Sequence, residues 1–374
     1  MYYFKFMPEE SIVLEQCEII SPLGNLSETV ADLIDGTSAI VPGPCFNVPV
    51  SCAPFQDERC RRLNFTASLL RQAIDLKELD VLNTVFIFCC AKGDIGALED
   101  HGTEKNQSFL PPLPGAQAQH IQNMLLPGCP RTITVSNACA SGAIGVETAK
   151  DLLESGAFTH AVVFGFDSIS RFVVTGFSSL GALSPKGARP FDESRDGLTI
   201  GEGACVALLT RRAPFTGDVC IDGGGSSNDA NHRTGPSRTG DGLLRAARAA
   251  LIDATIAPPE VGAIKCHGTA TLFNDAMEAK ALTQLFDNNV PVCCSVKGAI
   301  GHTSGAGSLL EIILAAEFLK RHVLPPTAGF SSLGVDENVP VSSEPQAFDQ
   351  NALLCLSAGF GGINAAVVLR EQVP

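Results

Sequence analysis

Apolar segments with strand-like and helix-like patterns alternate along most of the sequence. TITVSNA predicts a strand, and SGAIGVETAKDLLES predicts a helix that stops at Gly156. Later, GAIKC and VPVCCSV predict strands, and SLLEIILAAEFLKR predicts an almost wholly apolar helix, which must be buried on nearly all sides. This alternation predicts an α/β protein in which helices cover a largely buried sheet.

A short motif occurs once in each half of the sequence, at the start of a predicted helix. Cys139-Ala-Ser-Gly-Ala follows one strand, and His302-Thr-Ser-Gly-Ala follows another. Similar glycine-to-strand segments, GEGACVALLTRR and GFGGINAAVVLREQ, then close the two halves at a comparable separation. Two similar halves, residues 1–211 and 212–374, would explain this repeat. The alternative is chance, because S-G-A is common at helix starts.

The composition excludes several classes of protein. Hydrophobic residues make up 45% and charged residues 18% of the 374-residue chain, so a core can form and intrinsic disorder is excluded. The net charge of −14 repels phosphate, so we expect no general binding to nucleic acid or anionic membrane. No apolar run is long enough for a membrane span, and MYYFKFMPEES lacks the features of a secretory signal. We expect a cytoplasmic protein.

Cys139 differs in its setting from most of the 14 cysteines. No C-x-x-C pair is present, and several of the other cysteines lie in apolar runs typical of a core. Cys139 lies between a strand and a helix, where free N–H groups and the helix dipole lower the pKa of a thiol. We therefore expect it to be the only cysteine that is rapidly alkylated near neutral pH. A buried structural cysteine is the alternative for Cys139 taken alone.

Two histidines occupy comparable places. His267 and His302 follow the predicted strands GAIKC and VPVCCSV, at the ends of strands that face the ligand crevice in α/β proteins. Either could be a structural histidine, but two of them together with Cys139 favour a catalytic site. A metal site is the weaker interpretation, because no carboxylate lies at ligand-like spacing; we predict no metal.

Lys297 and Glu311 are candidates for a buried ion pair. Lys297 precedes His302 in the same loop, and Glu311 interrupts the apolar helix. Each would be unfavourable alone in a core, whereas a pair is tolerated; solvent-facing positions are the alternative. The turn Gly359-Phe360-Gly361-Gly362 can direct a backbone N–H towards the N–H of Cys139. Two such groups form an oxyanion hole.

Taken in chain order, these motifs resemble the β-ketoacyl-ACP synthases, the decarboxylating condensing enzymes of the thiolase superfamily. The resemblance rests on ACASG, GALSPKGARPFDESRDGLTIGEGA, HGTATLFNDAMEAKAL, SVKGAIGHTSGAGSLLE and SAGFGGINAAVV. The sequence resembles the Cys-His-His elongating branch of this family. It does not resemble the Cys-His-Asn initiating branch or the thiolases, which use a second cysteine. The resemblance implies the thiolase fold, in which two similar halves form a layered α-β-α-β-α arrangement.

The resemblance also implies a role for each candidate residue. Cys139 would carry the acyl group, His267 and His302 would form the histidine pair, and Lys297 and Glu311 would support them. Thr269 and Thr271 would contact the pantetheine arm, and Phe360 would gate the acyl pocket and donate an oxyanion N–H. Arg61 and Arg62 are the candidates for docking of the acidic carrier protein, since relatives show a similar basic pair at a helix start. A solvated helix face with ion pairs to nearby carboxylates is the alternative for these two arginines.

The implied function is decarboxylative condensation of an acyl thioester on Cys139 with malonyl-ACP, in fatty-acid, polyketide or polyene biosynthesis. No cofactor is implied, since the substrates travel on the phosphopantetheine of acyl carrier protein. The implied assembly is a homodimer, or a heterodimer with a related ketosynthase or chain-length factor. A non-catalytic chain-length-factor-like subunit is the main alternative, and a thiolase-like or hydrolytic relative is a third. Ala358 replaces a usual aromatic residue, and segments 1–60 and 95–128 match least, so pocket length and partner stay open.

Overall fold

The computed structural model describes residues 10–96, 99 and 113–373. Most of the segment inspected for a secretory signal, and part of segment 95–128, lie outside the described residues. Ten strands longer than two residues occur in the part described, and they are β1 (Ser11–Ser21), β2 (Thr84–Cys89), β3 (Arg131–Val135), β4 (His160–Asp167), β5 (Gly203–Arg212), β6 (Val219–Asn228), β7 (Ala263–Lys265), β8 (Val292–Cys294), β9 (Ala352–Gly359) and β10 (Ile363–Glu371).

Helices separate most of these strands along the chain. Within the described residues they are α1 (Leu26–Ile34), α2 (Leu63–Ala73), α3 (Pro114–Leu125), α4 (Ser141–Glu154), α5 (Arg171–Ser179), α6 (Asp241–Asp253), α7 (Leu272–Leu285), α8 (Lys297–Ile300) and α9 (Ser304–Arg321). The segments predicted as strands and helices from hydrophobic periodicity adopt those states, and the predicted α/β class is confirmed. No helix in these ranges combines the length and apolarity needed to cross a membrane.

The order of strands in the sheet shows an internal duplication. The ten strands lie in the order β8-β7-β9-β10-β6-β1-β5-β4-β2-β3. The first half, β3-β2-β4-β5-β1, therefore has the same order as the second half, β8-β7-β9-β10-β6. Parallel and antiparallel pairings also correspond, strand by strand. The halves are joined where β1 and β6 pair at Val13 and Cys220.

The helices form three layers around the two halves of the sheet. Helices α4 and α9 pack against each other and contact strands of both halves, so they form the central layer. Residues of α2 and α3 share a buried cluster with β2 and β4 on one outer face. Residues of α6 and α7 share another with β7 and β9 on the opposite face. The arrangement is α-β-α-β-α, and the central helices are buried on both sides, as the apolar pattern of α9 required.

The contact between α4 and α9 is close because small residues lie at the crossing. A Cβ atom at Gly142 of α4 would overlap the backbone of Leu309 in α9. The N–H of Ala143, which has no acceptor within its own first helical turn, donates to Oγ of Ser308 at 2.9 Å. Each of these helices begins beside a residue of the repeated motif, so their packing brings the two copies of that motif together.

We expect Gly142→Ala to lower the free energy of unfolding by about 1–3 kcal/mol, because overpacking at a helix crossing forces the helices apart. Urea unfolding measures this change. Gly176→Ala in α5 is the matched control, since nothing lies near its added Cβ; it should be neutral or stabilising by up to about 1 kcal/mol. Equal stability of the two variants would show that the crossing tolerates a methyl group.

Candidate active site

A cavity of about 420 Å³ lies at the point where the two motif copies meet. The predicted site residues at its wall are Cys139, His267, His302, Thr269, Thr271 and Phe360. The structure therefore brings together residues from both halves of the chain. Lys297 and Glu311 are buried beneath the histidines and do not line the cavity.

The backbone around Cys139 is held in a tight turn. Cys139 is the central residue of the single turn Ala138–Ala140, between β3 and α4. Ala138 has a φ of 51°, a left-handed conformation that costs a residue with a side chain about 1–3 kcal/mol. Oγ of Ser141 accepts the N–H of Asn137 at 2.8 Å and can donate to the carbonyl of Ala138 at 2.6 Å. These bonds stabilise the turn and direct the thiol towards the cavity.

The pKa of Cys139 differs from the expectation drawn from its position at a helix start. Its side chain keeps some exposure at the cavity, but burial of the thiol raises its pKa to about 11. The positive charge of Lys297 opposes this shift without reversing it. The predicted lowering of the pKa is therefore wrong, because loss of hydration outweighs the helix start. The pKa of Cys52, in contrast, is lowered by a hydrogen bond with the Cys45 thiol.

The glycine-rich turn between β9 and β10 lies directly beside Cys139. The backbone N–H of Phe360 hydrogen-bonds the Cys139 thiol, and a Cβ at Gly359 would lie 3.2 Å from the backbone N of Cys139. The ring of Phe360 is 37% exposed, and its centroid lies 5.3 Å from that of Phe177. The N–H of Phe360 and the N–H of Cys139 are thus on the same side of the cavity, as an oxyanion hole requires.

The two histidines lie edge to face, with ring centroids 5.4 Å apart. Burial, reinforced by the charge of Lys297, lowers the pKa of His302 to about 3 and holds that of His267 well below its usual value. Both imidazoles are therefore neutral at pH 7. Nζ of Lys297 lies 3.4 Å from Nδ1 of His267 and donates to its carbonyl oxygen at 2.6 Å. An ammonium only donates, so Nδ1 accepts and Nε2 of His267 carries the proton.

The ion pair predicted between Lys297 and Glu311 is present, with Nζ and Oε1 2.5 Å apart. A second lysine, which was not predicted, pairs with the other oxygen of the same carboxylate: it is Lys265, in β7. A lysine within an apolar strand, two residues before His267, was the signal that could have identified it. The buried cluster thus contains two ammonium groups around one glutamate.

Two carboxylates of α7 shape the loop that carries His267, and they too were not predicted. Glu278 accepts the N–H of His267 at 2.6 Å and the N–H of Gly268 at 2.8 Å. Burial raises its pKa to about 7. Asp275 accepts the N–H of Thr269 at 3.0 Å. Oγ1 of Thr269 lies 2.9 Å from Oγ1 of Thr271 at the cavity wall, so the loop presents two hydroxyl groups to a ligand.

Arg61 and Arg62, on which docking of the carrier protein was predicted, have different environments. Nε of Arg61 donates to Oε1 of Glu202 at 3.0 Å, and Glu202 is fully buried. Arg61 is therefore a structural partner, because Glu202 would otherwise be an unpaired buried charge. Arg62 is exposed at the start of α2 and forms no ion pair with any described residue.

Across the part of the chain that the structure describes, no cluster of three or more histidine, cysteine or acidic side chains is suited to hold a metal ion.

Comparison with known sequences identifies relatives of this arrangement. The models described as Beta-ketoacyl synthase, N-terminal domain, and Beta-ketoacyl synthase, C-terminal domain, match residues 114–214 and 219–331. The chain is 33% identical over 256 residues to 3-oxoacyl-(acyl-carrier-protein) synthase 2 of Rhizobium meliloti, covering 64% of this chain and 60% of that protein. It is 30% identical over 292 residues to the synthase of the same name from Staphylococcus aureus, covering 73% and 70%. It spans about 60% of the length of the first curated relatives that it matches.

Solved structures show the same architecture over nearly the whole chain. A ketosynthase from Xenorhabdus doucetiae, determined in complex with its chain length factor, superposes with a TM-score of 0.86 at 27% identity, covering 97% of this chain and 98% of that chain. The ishigamide ketosynthase/chain length factor gives a TM-score of 0.87 at 26% identity, covering 97% and 100%. The predicted thiolase fold is confirmed, and the chain belongs to the β-ketoacyl synthase family.

Proposed function

We propose that the protein is an active β-ketoacyl-ACP synthase that joins an acyl group held on Cys139 to a malonyl group carried by acyl carrier protein. The observation that carries this proposal is the meeting of Cys139, His267 and His302 at one cavity, with the N–H of Phe360 on the thiol. The curated relatives are named as 3-oxoacyl-(acyl-carrier-protein) synthases. The phosphopantetheine of the carrier, beside Thr269 and Thr271, then takes the place of a cofactor.

The first half-reaction transfers the acyl group to the protein. The sulfur of Cys139 forms a bond to the thioester carbonyl carbon, and the bond from that carbon to the carrier sulfur breaks. Because the thiol is protonated at rest, its proton must leave as the bond forms. This proton ends on the departing carrier thiolate, which leaves as the free carrier thiol. The N–H groups of Phe360 and Cys139 stabilise the negative oxygen of the tetrahedral intermediate.

The second half-reaction forms the new carbon–carbon bond. The bond between the malonyl carboxylate and its α-carbon breaks, which releases carbon dioxide and leaves an enolate. Nε2–H of His267 and an N–H of His302 donate to the enolate oxygen, so no strong base is required. The α-carbon then attacks the acyl carbonyl on Cys139, the bond from that carbonyl carbon to the cysteine sulfur breaks, and the resulting thiolate takes a proton from solvent.

A non-catalytic subunit resembling a chain-length factor is the alternative. The intact set of nucleophile, histidine pair and buried lysine–glutamate pair favours an active enzyme, since a non-catalytic subunit has no need for it. The two structural neighbours with related sequences are both described together with a chain length factor. Such a subunit is therefore a candidate partner of this chain, alongside a second copy of itself.

The edge of the sheet supports a dimer. Strand β3 is the last strand on its side of the sheet among the described residues, and Arg131 and Thr134 in it are exposed. An uncovered strand edge readily pairs with another chain. We infer that β3 of a second subunit, identical or related, covers this edge.

The cellular compartment and the product class complete the proposal. The 14 free thiols suit a reducing cytoplasm. The product class is a fatty acid, a polyketide or a polyene.

We predict that His302→Ala still forms an acyl-Cys139 adduct but releases carbon dioxide from malonyl-ACP at least about 100-fold more slowly, because the enolate loses a hydrogen-bond donor. Intact mass measures the adduct, and isotopically labelled malonyl-ACP measures the release. His120→Ala on α3 is the control and should behave as wild type. Near-normal release from His302→Ala would show that His302 does not act on the enolate.

Alkylation of Cys139 by iodoacetamide should accelerate about tenfold per pH unit between pH 7 and 10, since its raised pKa leaves about one thiol in 10⁴ ionised at pH 7. Cys52, whose pKa the Cys45 thiol lowers, should be labelled faster than Cys139 at pH 7 and should level off at a lower pH. Peptide mapping after brief labelling compares the two within one sample. A plateau for Cys139 below pH 8 would mean that its thiol is activated in the free protein.

Arg62→Glu should raise the KM for acyl carrier protein several-fold without changing turnover of a small acyl-pantetheine thioester, because an exposed cation attracts the acidic carrier. The wild-type KM should also rise with salt. Arg248→Glu, on the exposed side of α6, is the charge-matched control. Arg61→Gln should instead reduce stability, since it leaves Glu202 unpaired. An unchanged KM in Arg62→Glu would place docking elsewhere.

A further inference from the structure

Lys265 is a fully buried cation that the proposed chemistry has not yet used. It is the last residue of β7, and its Nζ donates to the carbonyl oxygen of Leu356 at 3.1 Å. The same Nζ pairs with Oε2 of Glu311, while Nζ of Lys297 pairs with Oε1 at 2.5 Å. One carboxylate of α9 is therefore shared by ammonium groups from β7 and α8.

This arrangement has one more positive charge than the ion pair alone requires. Burial of a second ammonium group costs several kcal/mol of hydration. Glu311 offsets this cost for Lys265, whose pKa is raised, whereas burial and the nearby charge of Lys265 lower the pKa of Lys297. Two other buried carboxylates lie nearby on α7, but Glu278 accepts the N–H groups of His267 and Gly268, and Asp275 accepts the N–H of Thr269. A chain that needed only to neutralise Glu311 would need only Lys297.

The excess charge acts on the histidines. Lys265 lies close enough to lower the pKa of both His267 and His302, in addition to burial and Lys297. It also holds the second oxygen of Glu311, so Lys297 is fixed between the first oxygen and the carbonyl of His267. The ionisable groups around the two imidazoles are Lys265 on β7, Cys139 before α4, Glu278 on α7, Lys297 on α8 and Glu311 on α9.

We propose that Lys265 is a positioning residue of the condensation site, which acts through Glu311 to hold Lys297 against His267. The proposal rests on the proposed function for its catalytic meaning. A protonated His267 could not accept a hydrogen bond from Lys297 at Nδ1, and the two cations would repel each other. Lys265 thus protects the orientation and tautomer in which Nε2 carries the proton to be donated.

The test is Lys265→Met, which removes the charge and keeps a long apolar side chain. The titration of both imidazoles, followed by NMR in protein labelled at the histidine rings, should move upward by about one pH unit. The acid limb of the kcat profile for malonyl decarboxylation should move upward by the same amount, so that kcat of the variant relative to that of the wild type falls as the pH is lowered from 6 to 4. KM should be unchanged.

Lys150→Met is the matched control. Lys150, in the C-terminal half of α4, is also buried and pairs with Glu154 and Asp253, and it does not line the cavity. The Lys150→Met variant should be less stable than the wild type, and its histidine titration and kcat profile should be unchanged. If Lys265→Met loses stability in the same way while both titrations stay at their wild-type values, Lys265 is only structural and the proposal is wrong.

Two further measurements keep the outcome decisive. Lys265→Gln retains a donor for the Leu356 carbonyl, and it replaces Lys265→Met if that variant does not fold. In the wild-type protein, imidazoles that titrate near the ordinary value of about 6.5 would overturn the proposal without any variant. The histidine titration does not depend on turnover. A wild-type protein that decarboxylates no malonyl thioester would therefore refute the proposed function while leaving the effect of Lys265 measurable.

Discussion

The packing of α4 against α9 is the contact on which the site depends. The two helices occupy equivalent places in the two halves of the fold, and the absence of a side chain at Gly142 lets their first turns approach closely. Because Cys139 precedes one helix and His302 precedes the other, this approach places a nucleophile beside an imidazole without any long loop. The surrounding strands on both sides then bury these groups and fix their orientation.

Burial determines the protonation state of the site. It raises the pKa of the Cys139 thiol and lowers the pKa of both imidazoles, so the resting protein holds a neutral thiol beside neutral rings. This differs from a thiolate–imidazolium pair, in which the nucleophile is ionised before substrate binds. Here ionisation is coupled to attack on the thioester, and the same neutral rings are ready to act as hydrogen-bond donors in the second half-reaction.

The layout of the fold and the identity of most site residues could be predicted from the sequence. Strand and helix periodicity gave the elements, and residues at the ends of strands in α/β proteins meet at one edge of the sheet, which is why Cys139, His267 and His302 stood out. The pairing of Lys297 with Glu311 followed from the cost of burying either alone. The pairing of Lys265 with the same carboxylate could not be predicted, because a strand pattern indicates that a lysine is buried without indicating its partner. Arg61 binds Glu202, which is 141 residues away, and the pKa of Cys139 depends on atoms from several elements.

The duplicated strand order has a consequence for how such a site can arise. Two identical chains related by a twofold axis must carry the same residue at equivalent positions, so a site on that axis contains matched pairs. When both copies are joined in one chain, each position can mutate independently. In this protein the first residue of the repeated motif is a cysteine in one copy and a histidine in the other. Covalent joining of the copies therefore allows an asymmetric reaction, with a nucleophile and a hydrogen-bond donor, to occupy a place of approximate symmetry.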